Sequence, residues 1–502
     1  MKVLALALFA VALLPAQQLT VPADARQRVD KVFARFQRTD GPGCAVGASL
    51  DGANVLSAAY GIADLEHDVP LRADSIFEAG SVSKQFTAAA VLLLAQQGKL
   101  SIDDPVRKYV PELPDYGTPL TIRHMLNHTS GLRDWGSIEG IAGWPRTTRA
   151  YTHAHVLDIL SRQRALNYPP GAEYSYSNSG YNLAAIIVER VAGKPFAEFT
   201  REAVFTPLGM TSTSWRDDFR RIVKGRAIAY SETNGTIRQT MPFEDVHGNG
   251  GLLTTVGDLL KWNANFTTPT VGGRAFIEQQ LVRGKLTDGR TIAYAAGLMV
   301  LHYKGRNEVS HSGTTAAYNA WLGRYPDQGL SVAVLCNSSA ANGTQLGHAV
   351  ADIFLGDRPT STPAVTSEAK PGMYRSLRDS SVLRVAADSR NEFVGDRMRV
   401  PSEMDGGAWY ERVESWTPTP AEIASLAGEY SSDEAEVTLR VALENGRLVI
   451  HRRPNATIAL TPTYKDAFTS SLGVVRFQRN AGKTTGMSVS ESRVWDLRFK
   501  AN

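Results

Sequence analysis

Three short motifs hold the side chains in this sequence that could do covalent chemistry: Ser81-x-x-Lys84, Tyr176-x-Asn178 and His311-x-Gly313. A serine hydroxyl is a poor nucleophile at neutral pH and attacks an acyl carbon only with a base in hydrogen-bond reach. Three residues along an α-helix rotate the chain by ~300°, so positions i and i+3 share a face and Lys84 can touch Ser81. Burial and the positive N-terminus of a helix both depress a lysine pKa. The pair therefore reads as a nucleophile, Ser81, and its base, Lys84. Taken alone, a serine in that place is also what an ordinary helix N-cap looks like. A second copy of the spacing, Ser367 to Lys370, sits among Pro363 and Pro371, where no buried helix could lower a lysine pKa.

The other two motifs are equally plain in isolation. A loop tyrosine beside a lysine can relay a proton, and an amide such as Asn178 can hold a substrate carbonyl. His311-Ser312-Gly313-Thr314 stands at the end of an expected strand. A glycine there lets a ligand approach the backbone, and an imidazole exchanges protons near neutral pH. Each would otherwise be a packed tyrosine, a capping asparagine and a strand-end histidine.

These groups need elements to position them. Residues 82–97 are apolar on nearly every face, which predicts a centrally buried helix with Gly98 at its C-cap. An amphipathic helix is expected over 24–36 and strands at 44–50 and 55–59, joined at Asp51-Gly52. Further strands are expected at 298–303, 309–311, 320–325 and 330–336, then a helix at 346–355. Thr255-x-x-Asp258 reads as a capping box. Strands at both ends of this region around a helical insert predict an α/β fold: one antiparallel sheet flanked by helices, plus an all-α part. Residues 357–371, rich in Pro, Ser and Thr, read as a linker, and 372–502 as an all-β domain. Within it, Gly372-Met373-Tyr374 and Leu383-Arg384-Val385-Ala386 match Gly428-Glu429-Tyr430 and Leu439-Arg440-Val441-Ala442 at a constant offset, which predicts a duplication over 372–415 and 421–502.

The chain of 502 residues carries 54 Lys and Arg against 50 Asp and Glu, a balance that argues against a nucleic-acid or membrane-surface partner. Residues 1–16, with Lys2 ahead of an apolar run, read as a secretory leader cleaved after Ala16, which predicts a secreted or periplasmic protein with no stable membrane span. Two cysteines, Cys44 and Cys336, are too few for a disulfide framework and are expected as buried free thiols, with pairing possible but not predicted. His153-x-His155 invites a metal, but i and i+2 diverge on a helix and no third ligand stands at a matching spacing, so no metal and no cofactor is expected.

The order of the three motifs resembles the serine β-lactamase and penicillin-binding-protein superfamily, most of all the class C β-lactamase-related hydrolases that include D,D-carboxypeptidases, D-aminopeptidases and family VIII esterases. The runs Tyr60-Gly61-Ile62-Ala63-Asp64, His128-Thr129-Ser130-Gly131 and Gly250-Gly251-Leu252 look like landmarks of that branch. The resemblance covers residues 24–356 and implies a β-lactamase/transpeptidase-like fold; 372–502 is similar to the lipocalin-like appendage of some members. It implies catalytic roles for Ser81, Lys84, Tyr176 and His311, and substrate binding by Asn178, Ser312, Gly313 and Thr314. Ser81 would be acylated, Tyr176 would relay the proton, and the backbone N–H groups of Ser81 and Thr314 would form the oxyanion hole. His311 stands where β-lactamases of this class carry a lysine, a permanent charge for a substrate carboxylate. That departure favours a peptidase or esterase acting on a small-molecule or peptide substrate. The alternatives are a β-lactamase, or a penicillin-acylated protein with little turnover.

Overall fold

The computed structural model describes residues 19–146, 148–356, 370–388 and 391–502. The expected leader and most of the expected linker, with the second Ser-x-x-Lys as far as residue 369, lie outside the described residues.

Two runs of strand from opposite ends of the first domain meet in one antiparallel sheet. Its strands are β1 (Cys44–Leu50), β2 (Ala53–Tyr60), β3 (Met299–Tyr303), β4 (Arg306–Thr315), β5 (Tyr318–Tyr325) and β6 (Leu330–Cys336), in the order β3-β4-β5-β6-β1-β2. Around it stand α1 (Ala25–Val32), α2 (Lys84–Gln96), α3 (Trp135–Ala142), α4 (Asn178–Ala192), α5 (Val256–Asn265) and α6 (Gly343–Leu355), with several further helices. Strand β6 is buried at every position, as a central strand covered on both faces must be. Its side chains divide by parity: Ala333 and Leu335 join the core around α2 and α5, while Val332, Val334 and Cys336 join a second core beneath α1 and α6.

Helix α2 is the centre of the first domain. Every side chain from Lys84 to Leu94 is buried, and α2 packs on α4. It starts two residues later than expected, after a 3₁₀ turn over Gly80–Ser83, and Gly98 follows with φ +69°. The third-motif strand is longer than expected, because β4 pairs with β5 as far as Thr315 opposite Tyr318. The cap at α5 is half of a box: Thr255 accepts from Asp258 N, but the Asp258 carboxylate turns to Ser212 N and Thr213 instead.

One expectation is overturned. Cys44 and Cys336 are not free thiols but are bonded to each other. The pairing of β1 with β6 sets the two residues directly opposite, with Cα atoms 4.0 Å apart. A contact across 292 residues of chain leaves no local trace in the sequence.

Beyond residue 370 the structure is all β apart from one helical turn, Pro420–Ala424. A five-stranded sheet spans 372–413, and a nine-stranded sheet spans 428–501. The two outermost strands of the larger sheet, Ala456–Ala459 and Thr461–Pro462, follow each other in the chain, so it wraps into a nearly closed barrel. The two matched sequence blocks form hairpins of equivalent register, with Tyr374 opposite Leu383 and Tyr430 opposite Leu439.

The barrel docks on loops that border α3 and α4. Buried Arg133 donates to Trp495 O and Asp496 O, both 3.1 Å, and pairs with Glu434. Asn167 both donates to Arg493 O (3.0 Å) and accepts from Trp495 N (2.7 Å). Arg378 of the smaller sheet reaches Glu173 at 2.7 Å.

Candidate active site

Ser81 lies in the 3₁₀ turn that opens α2. Three residues per turn eclipse i and i+3, so the turn stacks Ser81 over Lys84 more directly than an α-helix would. Ser83 fastens the turn: its Oγ donates to Gly80 O and accepts from Leu252 N (3.1 Å). The turn packs against β4 so closely that neither side tolerates a side chain. A Cβ on Gly313 would stand 2.0 Å from Ala79 O, and one on Gly80, with φ +51°, would stand 2.7 Å from Thr314 N. These two glycines bring the backbone of Thr314 beside that of Ser81.

Lys84 Nζ sits 3.1 Å from Ser81 Oγ, 2.9 Å from Asn178 Oδ1 and 2.6 Å from Asn249 O. It is wholly buried, and burial holds its pKa well below the ordinary lysine value; the Arg493 cation pushes the same way, Asp134 opposes, and Arg146 adds to the depression. The neutral amine this favours has two N–H bonds and one lone pair. Asn178 Oδ1 and Asn249 O can only accept, so they take both N–H bonds, and the lone pair is left for the Ser81 hydroxyl.

Tyr176 shifts in the opposite sense. Burial pushes its phenol up, against the smaller pull of the Ser81 hydroxyl beside it, and the two hydroxyls do not close a hydrogen bond. The amine of Lys84 stands 4.9 Å from the Tyr176 ring centre. Of the two candidate bases, Lys84 is the one whose neutral form burial favours, while burial favours the protonated phenol of Tyr176. His128 backs the tyrosine with ring centres 4.2 Å apart, and its Nδ1 accepts from Ser177 N (3.2 Å).

His311 is buried, and its pKa is lowered to about 3 by burial and by the charge that Lys84 carries when protonated. Its tautomer follows from its partners. Nδ1 lies 2.6 Å from Ser312 O, a pure acceptor, so Nδ1 carries the proton. Nε2 is then the acceptor, and the Tyr294 hydroxyl donates to it at 2.8 Å. The third motif presents a neutral ring where a permanent cation would serve a carboxylate.

All eight residues singled out in the sequence, Ser81, Lys84, Tyr176, Asn178, His311, Ser312, Gly313 and Thr314, come together. Seven line one cavity of about 360 Å³, and Lys84 lies beneath its floor. Several groups there escaped the sequence reading. Asp134 caps α3 through Oδ1 to Ser137 N (3.1 Å) and accepts from Asn178 N through Oδ2 (2.8 Å), which fixes the start of α4. Its only sequence trace is an Asp ahead of an apolar helical run. Arg146 enters the cavity held by Glu244, which also meets Arg216, itself 2.9 Å from the buried Glu78. Arg493, from the barrel, completes the wall.

Away from the cavity, the fold brings Glu189 and His247 to His153, a trio absent from the sequence spacing. Three of their six ligand atoms are occupied, His153 Nε2 by the His247 backbone, His247 Nδ1 by Asp245 O and Glu189 Oε1 by Phe196 N, while His247 Nε2 is buried without a hydrogen-bond partner. The two rings also overlap at 4.2 Å, which does not suit coordination of one ion. His155 belongs to the box that caps its own helix with Thr152.

Residues 29–354 match the family model described as Beta-lactamase. Penicillin-binding protein 4* of Bacillus subtilis is 30% identical over 58% of this chain and 67% of its own length. A D-aminopeptidase of Gluconobacter oxydans is 24% identical over 93% of this chain and 97% of its own. The octameric penicillin-binding protein homologue from Pyrococcus abyssi superposes with a TM-score of 0.59 over 95% of this chain and 99% of that one, at 21% identity, so its two-part fold extends through the barrel.

Proposed function

As the chain belongs to the beta-lactamase family, we propose that it is an exported serine hydrolase that cleaves amide, peptide or ester bonds through an acyl-enzyme on Ser81. One observation carries this reading: a buried Lys84 amine, its N–H bonds taken by Asn178 and Asn249, 3.1 Å from the Ser81 hydroxyl on a cavity wall.

Ser81 Oγ attacks the substrate carbonyl carbon while its proton passes to Lys84 Nζ. The resulting oxyanion is met by the backbone N–H groups of Ser81 and Thr314, each such donor worth ~3 kcal/mol of barrier. The Tyr176 phenol gives its proton to the departing amine or alkoxide and recovers one from the Lys84 ammonium. Water then attacks the acyl carbon, its proton leaves by the same relay, and Ser81 regains its hydrogen as the carboxylic acid is released. Neutral His311 holds the strand end with Tyr294 rather than binding an anion. Export is supported by the leader pattern of residues 1–16 and by the Cys44–Cys336 bond, since disulfides persist in oxidising compartments. Among the described residues no helix is long and apolar enough to cross a membrane.

The test is intact mass and burst kinetics of the protein and its Ser81→Ala variant with p-nitrophenyl acyl esters and a labelled penicillin. An ester burst lost in Ser81→Ala supports the reading, and a lasting penicillin adduct would place the protein among slow-turnover penicillin binders. Labelling that survives Ser81→Ala refutes it.

A further inference from the structure

The barrel does more than cover the first domain: it inserts a charge into the cavity. Arg493 stands in the turn between strands Lys483–Glu491 and Val494–Ala501. Its backbone is pinned at three points: N donates to Glu491 Oε1 (3.3 Å), and O accepts from Asn167 Nδ2 (3.0 Å) and Asp134 N (3.3 Å). The guanidinium lies against the face of Tyr176, 4.9 Å from the ring centre.

We propose that Arg493 is the anchor for a carboxylate on the substrate, so that a residue of the C-terminal domain sets the specificity of the first. The inference rests on the hydrolase reading for the chemistry after binding, but not for the binding itself.

Four observations support it. The Arg493 side chain is 41% exposed, and the nearest carboxylate oxygen, Asp134 Oδ2, is 4.0 Å away and already accepts from Asn178 N. Its charge is thus presented rather than neutralised. The other cation of the cavity, Arg146, is bound through both Nε and Nη2 to Glu244. His311, in the third motif, is neutral at any pH well above 3. Finally, Arg493 lines both the cavity at Ser81 and a neighbouring cavity of about 370 Å³ between the domains, so it stands where a substrate entering from either would pass. A guanidinium offers a carboxylate two parallel N–H bonds, which fixes orientation as well as charge. Its stacking on Tyr176 holds the fork while leaving its N–H edges to the cavity.

The experiment uses the full chain with Ser81→Ala, so that nothing turns over, and measures by calorimetry the affinity for N-acetyl-dialanine and for its C-terminal amide, each in D,D and L,L form. The acid of at least one form is expected to bind tenfold or more tightly than its amide. In Ser81→Ala/Arg493→Gln the two should agree within twofold, and Arg493→Lys should restore part of the difference. A merely structural arginine would lower both affinities alike. Equal affinity of acid and amide, a preference that survives Arg493→Gln, or no binding of either overturns the proposal. Failure of the acyl-enzyme reading shows separately, as ester labelling indifferent to Ser81→Ala, and leaves this comparison intact.

Discussion

If Lys84 is the base, two substitutions that flank it must move the acid limb of the rate profile in opposite directions. The rate needs the neutral amine, so it falls as pH drops through the Lys84 pKa. Arg493 lowers that pKa and Asp134 raises it. Arg493→Gln therefore shifts the limb to higher pH, and Asp134→Asn shifts it to lower pH. The size of the first shift can be bounded. Lys84 Nζ and the Arg493 guanidinium carbon each lie 4.9 Å from the Tyr176 ring centre, so at most twice that, about 10 Å, separates them. Two unit charges at that distance and an effective dielectric constant of ~20 repel by about 1.7 kcal/mol, or roughly 1.2 pH units. Because the Arg493 side chain is 41% exposed, solvent screening trims this to about 0.5–1 unit. Asn keeps the capping oxygen at position 134, so α3 stays capped in the second variant. The assay is the second-order acylation rate with p-nitrophenyl acetate, an uncharged ester that gives Arg493 nothing to bind, from pH 4 to 10 at low ionic strength and again in ~1 M salt. High salt should shrink the Arg493 shift. A limb that stays in place, or moves the same way in both variants, refutes Lys84 as the titrating base.

Two more outcomes rest on the geometry. Gly313→Ala places a Cβ 2.0 Å from Ala79 O, which must separate β4 from the Ser81 turn and spoil one oxyanion donor; the acylation rate should fall by about 10²–10³, and a rate within threefold of the parent would show that the two backbones need not touch. Replacing both Cys44 and Cys336 by Ala should lower stability by about 2–5 kcal/mol, read as the urea midpoint of oxidised protein with and without the substitutions; coincident midpoints would mean that β1 and β6 hold their register without the bond.

Much of this protein is legible in its sequence because the signals are local. The run after Ser81 is apolar on nearly every face, which points to a buried helix, and a buried helix opening with Ser-x-x-Lys places an amine against a hydroxyl. The apolar runs at 44–50 and 330–336 gave strand bounds that β1 and β6 reproduce. What the sequence misjudged or could not size was long-range or a matter of register. The disulfide depends on which strands are neighbours in the sheet. The neutrality of His311 depends on burial and on Tyr294, and the lowered pKa of Lys84 depends first on burial and then on Arg493 and Arg146, with Asp134 opposing. Asp134 reads as one helix cap among several until Asn178 N is seen to share it.

Residue type and spacing along one helix or strand were enough to mark Ser81 and Lys84 as a candidate nucleophile and base and to give the order of the motifs. Only the tertiary structure decided the charge of the cleft. A lysine is absent from the third motif, and nothing in the linear pattern marks an arginine in a late β-turn, 412 residues after the nucleophile by numbering, as its neighbour. Arg493 reaches the cavity because Asn167 and Asp134 hold its backbone and Tyr176 receives its side chain. Electrostatic energy falls with distance through space rather than along the chain, so the identity of a cleft's charges is settled only when the domains dock.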